Sequence, residues 1–194
     1  MFTIIKTSFK LLLTFTILTG LIYPGIVTLF AQLFFPVQAN GNIILKNGKY
    51  VGSSIIGQYF TEPKYFWGRP SATSPDPYNA ASSSGSNQGQ NSPELIKLVF
   101  KRINILKKAD PDTIKPIPID LVTASASGLD PDISIAGAYY QAKRIAKERK
   151  MDEAKVYDII NKNIKQRQLG FLGEPSVNVL ELNLDLDDET AAKP

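Results

Sequence analysis

Two residue types that carry much of protein chemistry are missing from this sequence of 194 residues. It has no cysteine, which excludes disulfides, zinc thiolate sites and a cysteine nucleophile. It has no histidine, which removes the commonest general base, the Ser-His-Asp and Cys-His arrangements and the commonest transition-metal ligand. An enzyme would need paired carboxylates, a Ser-Lys dyad or backbone phosphate binding. The composition therefore disfavours catalysis, and we expect neither a metal nor a cofactor of the chain's own.

A concentrated basic surface is missing as well. The formal net charge is +4 and the pI about 9.1, but the lysines and arginines are scattered along the chain. A nucleic-acid-binding protein gathers them on one stripe with aromatic residues between them. The strongest local charge is acidic and lies near the C-terminus, at Glu181, Asp185, Asp187, Asp188 and Glu189. We therefore predict that nucleic acid is not a partner.

Charged residues are absent between Lys10 and Lys46. The run 11–35 within this stretch is dominated by Leu, Ile, Val and Phe, and a helix of about 20 apolar residues crosses a bilayer. Because Lys6 and Lys10 precede the run, the positive-inside rule keeps the N-terminus in the cytoplasm and sends the rest of the chain across the membrane. We predict a cytoplasmic N-terminus and single-pass anchor over residues 1–38.

The middle of this anchor contains a proline and two glycines. Pro24 lacks a backbone donor and predicts a kink, while Gly20 and Gly25 would let a partner helix approach closely. These three residues are candidate partner contacts. The alternative to an anchor is a signal peptide cleaved after residues 37–39, but the apolar core of a signal has about 7–15 residues and this run is longer.

Beyond the anchor, the pattern predicts an α+β domain over residues 39–187 with helices covering a short sheet, followed by an acidic, flexible tail over residues 188–194. Asn47-Gly48 predicts a tight turn between short strands at 43–45 and 54–59. Ser92 as cap with Pro93 at the first helical position begins a helix. The remaining elements are predicted as a strand at 121–124, helices at 134–149 and 152–168, and a strand at 177–184.

Residues 61–93 have little hydrophobic periodicity and many Pro, Ser, Gly and Asn residues. Their aromatic residues Tyr65, Phe66, Trp67 and Tyr78 are too many for a solvated tether, so we predict an ordered, irregular loop, and such loops are usually functional. The small-residue turn at 125–132 before a helix start has the outline of an anion site. The alternative is an ordinary capped turn, which the absence of a P-loop or a G-x-G-x-x-G motif favours.

Several unusual strings follow one another in a fixed order. They are Gly52–Gln58, Tyr65–Ala72, Pro77–Ala80, Ser84–Asn87, Asp120–Ser125, Ser127–Pro131 and Leu172–Pro175. With the N-terminal anchor, they closely resemble the C subunit of the Kdp high-affinity potassium-transporting P-type ATPase, from the membrane helix to Leu186. Three features depart from the family pattern: Asp132 stands where histidine is common, Gln88 stands where an apolar residue is common, and the string Ser83–Ser86 has fewer glycines than usual.

The resemblance implies a bacterial inner-membrane complex with the domain in the periplasm and three companions: a channel-like potassium-binding subunit, an ATP-hydrolysing P-type subunit and a small single-helix subunit. This chain would be a non-catalytic accessory subunit that stabilises the complex and acts as a catalytic chaperone, raising the ATP affinity of the hydrolysing subunit. Any nucleotide contact would carry over to Ser84, Gly85, Ser86, Asn87 and Gln88. Partner contacts are expected in the aromatic-rich loop and beside it, at Tyr65, Phe66, Trp67, Arg69, Tyr78, Asn79 and Asp130.

The predicted membrane topology bears on two mechanisms for that chaperone role, direct contact with ATP and conformational coupling. ATP is cytoplasmic, so a periplasmic domain would change ATP affinity through a coupled conformational equilibrium between two distant sites. We expect this coupling rather than direct ATP contact. Two further functions stay open. One is a membrane-anchored periplasmic hydrolase using Ser and Lys, with residues 61–64 nearest to a dyad spacing; the other is a soluble-ligand binding protein with a cleaved leader.

Overall fold

The computed structural model describes residues 1–191, and the chain divides into two compact units, residues 1–51 and residues from 52 onward. In the first unit, helix α1 spans Phe2–Ile17 and helix α2 spans Tyr23–Phe34, with a π-helical segment at Leu18–Ile22 between them. The backbone N–H of Tyr23 donates to the Leu18 carbonyl across this wider turn. The irregularity predicted at Pro24 therefore takes the form of a π-helical turn before the proline, a known response to a disturbed helical ladder.

A short helix and a hairpin complete the first unit. Helix α3 spans Pro36–Ala39, strand β1 spans Ile43–Lys46 and strand β2 spans Lys49–Ser53. Asn47 and Gly48 both have positive φ, 52° and 74°, as the two central residues of a tight hairpin turn require. The predicted turn is confirmed, but the predicted strand at 54–59 is wrong. Because the turn has only two residues, β2 begins directly after it at Lys49 and ends at Ser53, just before the predicted strand would begin.

Between residues 54 and 191, the second unit has four α-helices and three short strands. Helix α4 spans Pro93–Ala109, α5 spans Ile135–Arg149, α6 spans Glu153–Lys162 and α7 spans Val179–Ala191. Strand β3 spans Asp132–Ser134, β4 spans Ile164–Lys165 and β5 spans Ser176–Asn178. The strands pair antiparallel in the order β3-β5-β4, with Val177 opposite both Ile133 and Ile164. This is the α+β class that the sequence predicts.

Side-chain caps fix where the helices begin. Ser92, Ser134 and Asp152 accept hydrogen bonds from the backbone N–H groups of Leu95, Gly137 and Ala154, at the starts of α4, α5 and α6. Helix α6 ends six residues earlier than predicted. There the Asn163 side chain donates to the Ile159 carbonyl, 3.0 Å away, in place of a further helical turn.

Two predicted strands are wrong. Residues 119–121 form a 3₁₀ turn rather than the start of a strand at 121–124. The predicted strand at 177–184 ends at Asn178, because its side-chain oxygen accepts from the Glu181 N–H at 3.1 Å and begins α7. Residues 188–191 of the predicted tail continue this helix, and the remainder of that tail lies outside the described residues.

The core lies where α5, α6 and α7 cover the sheet. Its fully buried side chains include Ile133 and Val177 on the strands and Ala142, Ile145, Val156, Ile160, Leu182 and Leu186 on the helices. One residue of the long loop belongs to the same core: Phe66 has no exposed surface. The loop is therefore held by the domain's main hydrophobic cluster.

Candidate functional site: a clamped loop on the helical layer

Two buried amide side chains hold the aromatic part of the loop by its backbone. The Phe66 N–H donates to Oδ1 of Asn183 at 2.8 Å, and Nδ2 of Asn183 donates back to the Phe66 carbonyl at 3.0 Å. Gln141 does the same for Trp67, accepting at 2.8 Å and donating at 3.1 Å. Both amide side chains are almost completely buried. They satisfy the main chain as a neighbouring strand would, which lets an irregular segment be buried without orphaned polar groups.

Arg144 binds the same segment from helix α5. Its guanidinium donates to the carbonyls of Pro63 and Tyr65 and to Oε1 of Gln141, and lies 4.3 Å from the centre of the Trp67 ring. Burial lowers the pKa of Arg144 to about 10, so it remains a cation at neutral pH. A buried guanidinium is tolerated here because carbonyl oxygens and an aromatic face replace water.

A second arginine joins the loop to the last helix. Arg149 donates from Nε to the Lys64 carbonyl at 2.8 Å and pairs with Asp187 at 2.7 Å. The Tyr65 hydroxyl donates to the other oxygen of Asp187 at 3.2 Å, and the Tyr65 ring lies 4.9 Å from the Arg149 guanidinium. Asp187, one of the acidic residues near the C-terminus, therefore holds the loop against α7 and does not belong to a free tail.

The second half of the loop is organised around Tyr78. The Tyr78 hydroxyl donates to the carbonyl of Arg69, whose guanidinium pairs with Asp130 at 2.9 Å. A Cβ atom added at Gly57 or Gly68 would lie 2.3 Å or 2.6 Å from Tyr78, so both positions need glycine for close packing. Burial raises the pKa of Tyr78 well above its usual range. Its hydroxyl is therefore held as a neutral donor.

Asn79 closes the turn that follows. Its backbone N–H donates to Thr73 Oγ1 at 3.0 Å, and its side chain donates to the Ser74 carbonyl and accepts from the Ala81 N–H. The hydroxyl of Ser71 donates to the Gly128 carbonyl at 2.7 Å and so ties this turn to the segment 125–132. Asp130, Arg69, Tyr78 and Asn79 thus belong to one hydrogen-bonded unit.

The candidate nucleotide segment 84–88 lies against the same segment 125–132. The Ser84 N–H donates to the Ser127 carbonyl at 3.0 Å, and a Cβ at Gly85 would lie 2.8 Å from the Ala126 carbonyl oxygen. Ser86 is half-buried, whereas Asn87 and Gln88 are exposed. Gln88 accepts from the hydroxyl of Ser92, the cap of α4, at 2.6 Å. The first two residues of the segment therefore contact the domain through their backbone, and a nucleotide contact at residues 84–88 stays a prediction.

Asp132, the departure from the family pattern, is used inside the sheet. Its carboxylate accepts from Ser176 at 3.0 Å and from Asn178 at 3.1 Å. Asn178 in turn donates to the Ser54 carbonyl at 2.7 Å. The outlined anion site before α5 is therefore an ordinary capped turn, the alternative favoured above: Gly137 N–H donates to Ser134, and Ser134 N–H donates to Asp120.

The candidate anchor residues lie in the first unit. Gly20 belongs to the π-helical segment, and Pro24 and Gly25 to the start of α2. A Cβ atom at either glycine would meet nothing within 4 Å. The helical region Phe2–Phe34 has 33 residues and is apolar enough to cross a membrane.

One exposed apolar group was not found from the sequence. Leu169 and Phe171 are 83% and 69% exposed at the tip of the turn between β4 and β5, where Leu169 has a positive φ of 53°. A short apolar stretch beside Gly170 and Gly173 is the signal that marks this turn. Among residues 1–191, no cluster of acidic side chains has the arrangement of a metal site.

The fold and the loop together define a class: a protein with one helix fit to cross a membrane and one α+β domain whose long loop is clamped by its own helices. The family model described as the c chain of K⁺-transporting ATPases matches residues 5–188. The chain therefore belongs to this KdpC family and is a subunit of a potassium-transporting ATPase.

Curated relatives agree over nearly the whole length. The potassium-transporting ATPase KdpC subunit of Methylococcus capsulatus is 54% identical over 182 residues, covering 94% of this chain and 96% of the relative. That of Methylibium petroleiphilum is 53% identical, covering 95% and 97%. That of Burkholderia orbicola is 54% identical, covering 98% of each chain.

Proposed function

We propose that this chain is a non-catalytic accessory subunit that stands on the external side of a bacterial inner membrane and raises the ATP affinity of a hydrolysing partner through conformational coupling. Its companions would be a channel-like potassium-binding subunit, the P-type subunit and a small single-helix subunit. The chain has no Asp-Lys-Thr-Gly-Thr phosphorylation run of its own. A helper role is consistent with that sequence and with the accessory character of the family.

The observation that supports the coupling mechanism is the contact that residues 84 and 85 make with the domain. A phosphate cradle needs free backbone N–H groups, but the Ser84 N–H is bonded to Ser127 and Gly85 packs against Ala126. The loop before it is bonded to the helices at Phe66 and Trp67. A domain that contacts its partners differently in two conformational states would shift their equilibrium without touching ATP.

Steady-state kinetics of the purified complex separates coupling from direct ATP contact. Asn87 and Gln88 are exposed, so Asn87→Ala and Gln88→Ala remove no buried side chain; an unfolding curve of each variant checks the fold, since Asn87 has a positive φ of 50° and Gln88 bonds to Ser92. Coupling predicts an unchanged KM for ATP in both variants, and a raised KM when the whole subunit is omitted. Direct contact predicts that Asn87→Ala or Gln88→Ala raises the KM by itself. The exposed Lys97→Ala on α4 is the matched surface control.

The proposed orientation is testable because the chain has no native cysteine. A Cβ at Gly89 would meet nothing within 4 Å, so Gly89→Cys provides a single label site in the domain, and Thr3→Cys provides one before the anchor. With intact cells, a membrane-impermeant maleimide is expected to label Gly89→Cys and not Thr3→Cys. The reverse pattern contradicts the external placement.

The Ser/Lys hydrolase receives no support from the geometry of its residues. Lys64 pairs with Glu62 at 2.8 Å, and the hydrogen bond to Glu62 raises the pKa of Lys64. A lysine that acts as a general base needs the opposite shift. Turnover by the purified chain would be required to revive this function.

A further inference from the structure

The second unit contains a cavity of about 340 Å³ between the long loop and helix α4. Small-molecule sites begin at about 300 Å³, so its volume suits a small ligand. Its floor includes Leu106 and Leu121, which are 6% and 5% exposed, whereas Tyr59 and Ile105 are 67% and 48% exposed and lie at its mouth. The cavity is therefore open to solvent at one end and apolar at the other.

Aromatic and aliphatic side chains form most of the cavity wall. The lining includes Phe60 just before the loop, Trp67 and Tyr78 of the loop, and Leu98 and Ile105 of α4. Apolar surface of this kind stabilises a hydrocarbon or aromatic body by removing it from water. The clamps on Trp67 hold one side of the cavity in place before any ligand arrives. Such preorganisation lowers the cost of binding.

The charged side chains of the lining are basic. Of the residues that the structure describes, Arg69, Lys101 and Arg102 line the cavity, and no aspartate or glutamate does. Arg69 is paired with Asp130, and Arg102 donates to the Val122 carbonyl at 2.8 Å. Within residues 1–191, Lys101 has no ion-pair partner. The unbalanced charge favours an anion and disfavours a cation such as K⁺.

We infer that this cavity binds a small amphiphilic anion, with its acidic group at Lys101 and Arg102 and its apolar body between Trp67 and Leu98. Such a ligand has a phosphate-like head group attached to a hydrocarbon or aromatic body. Both a membrane lipid with an anionic headgroup and a soluble organophosphate have this composition. This inference is independent of the ATP-affinity role.

The chain provides its own reporter, since Trp67 is its single tryptophan and lines the cavity. The full chain is placed in phosphatidylcholine nanodiscs, and Trp67 emission is followed while hexyl phosphate is added. Inorganic phosphate and hexanol supply the head and the body separately. Hexyl phosphate should bind at least about tenfold more tightly than inorganic phosphate, because it also buries its methylene groups. It should bind several-fold more tightly than hexanol, because its head group adds the ion pairs with Lys101 and Arg102.

Two lysines on one helix face separate specific from general charge effects. Lys101→Ala should weaken hexyl phosphate binding by up to about fivefold, the most that an exposed ion pair contributes. Lys97→Ala lies one turn earlier, is exposed and does not line the cavity, so it should leave binding unchanged. Ile105→Phe, at the half-exposed mouth, should also weaken binding. Unchanged Trp67 emission without ligand confirms that each variant is folded.

Exchanging the nanodisc lipid for phosphatidylglycerol distinguishes the two sources. If the ligand is a lipid, phosphatidylglycerol occupies the cavity, so the exchange should lower the apparent affinity for hexyl phosphate more in the wild-type chain than in Lys101→Ala. If the ligand is soluble, the exchange should change this apparent affinity equally in both chains. Three results would overturn the inference: no saturable change in Trp67 emission, equal affinity for hexanol and hexyl phosphate, or equal losses in Lys97→Ala and Lys101→Ala.

Discussion

Removing the Asn183 side chain tests whether the amide clamps hold the loop in place. Asn183 is 2% exposed and satisfies both the N–H and the carbonyl of Phe66. Asn183→Ala leaves these two groups buried without partners. Each unsatisfied group costs about 1–3 kcal/mol, and the loop can relax toward water, so we expect a loss of about 3 kcal/mol. That is a large part of a typical stability of about 5–15 kcal/mol.

Urea unfolding of the full chain in nanodiscs, followed by Trp67 emission, measures this loss. With a slope near 2 kcal/mol per molar, the midpoint should fall by about 1.5 M. Asn104→Ala, at an exposed position of α4, is the matched control and should stay within about 0.5 kcal/mol of wild type. A loss below about 1 kcal/mol for Asn183→Ala would refute the clamp.

Asn183→Asp separates hydrogen bonding from volume, because the two side chains have almost the same size. One carboxylate oxygen still accepts from the Phe66 N–H, but the other faces the Phe66 carbonyl. Burial and that carbonyl raise the carboxyl's folded pKa above its unfolded value of about 3.9. The folded state then binds the proton more tightly, so stability is highest at acid pH and falls as pH rises through the folded pKa. A pH-independent loss would contradict this reasoning.

Three further predictions follow from other contacts. Gly85→Ala should destabilise the domain by about 1–3 kcal/mol, because its Cβ would lie 2.8 Å from the Ala126 carbonyl oxygen. Gly89→Ala, whose Cβ would meet nothing within 4 Å, should be neutral. The rate of limited proteolysis between residues 85 and 89 measures both effects. The hydrogen bond to Glu153 raises the pKa of Tyr157 to about 12. The stability that this bond contributes is therefore complete below about pH 10 and is lost as pH rises through 12. Tyr157→Phe should remove this pH dependence from the free energy of unfolding measured at alkaline pH. Gly20→Leu should leave the amount of chain in the membrane unchanged, since its Cβ would meet nothing within 4 Å, but should reduce recovery of the complex; full recovery would mean that no partner helix packs there.

Local signals in the sequence predicted local structure well. Ser92 caps its helix as predicted, the helices predicted from residues 134 and 152 begin there, and Asn47-Gly48 forms its hairpin turn. The failures come where local patterns are ambiguous. Residues 177–184 alternate enough to suggest a strand, yet Val179, Leu182 and Leu186 bury one helical face. A short apolar run does not distinguish the two, and packing decides between them.

The order of the long loop was predictable, but its partners were not. Four aromatic residues indicate that residues 61–93 are packed. The groups that hold them lie far away in sequence: Asn183 is 117 residues from Phe66, and Gln141 is 74 residues from Trp67. An asparagine on a helix carries no local sign that it will satisfy a distant backbone. Such contacts follow only from the tertiary arrangement.

The strings that place this chain in its family are largely internal supports. Gly57 and Gly68 pack against Tyr78, Arg69 pairs with Asp130, and Phe66 is fully buried. Residues bonded in this way hold the surface of the domain in place. The partner contacts expected from the sequence stay predictions at all seven residues: Tyr65, Phe66, Trp67, Arg69, Tyr78, Asn79 and Asp130.

The turn between β4 and β5 has the opposite character. Leu169 and Phe171 project into solvent, and Leu169 adopts a left-handed conformation that costs energy for a non-glycine residue. The domain gains little burial from these two side chains. Exposed apolar groups of this kind mark interaction surfaces more often than they serve stability. In a subunit whose family motifs are used for internal support, such a turn is where contact with other subunits should be sought first, beside the half-buried faces of the loop.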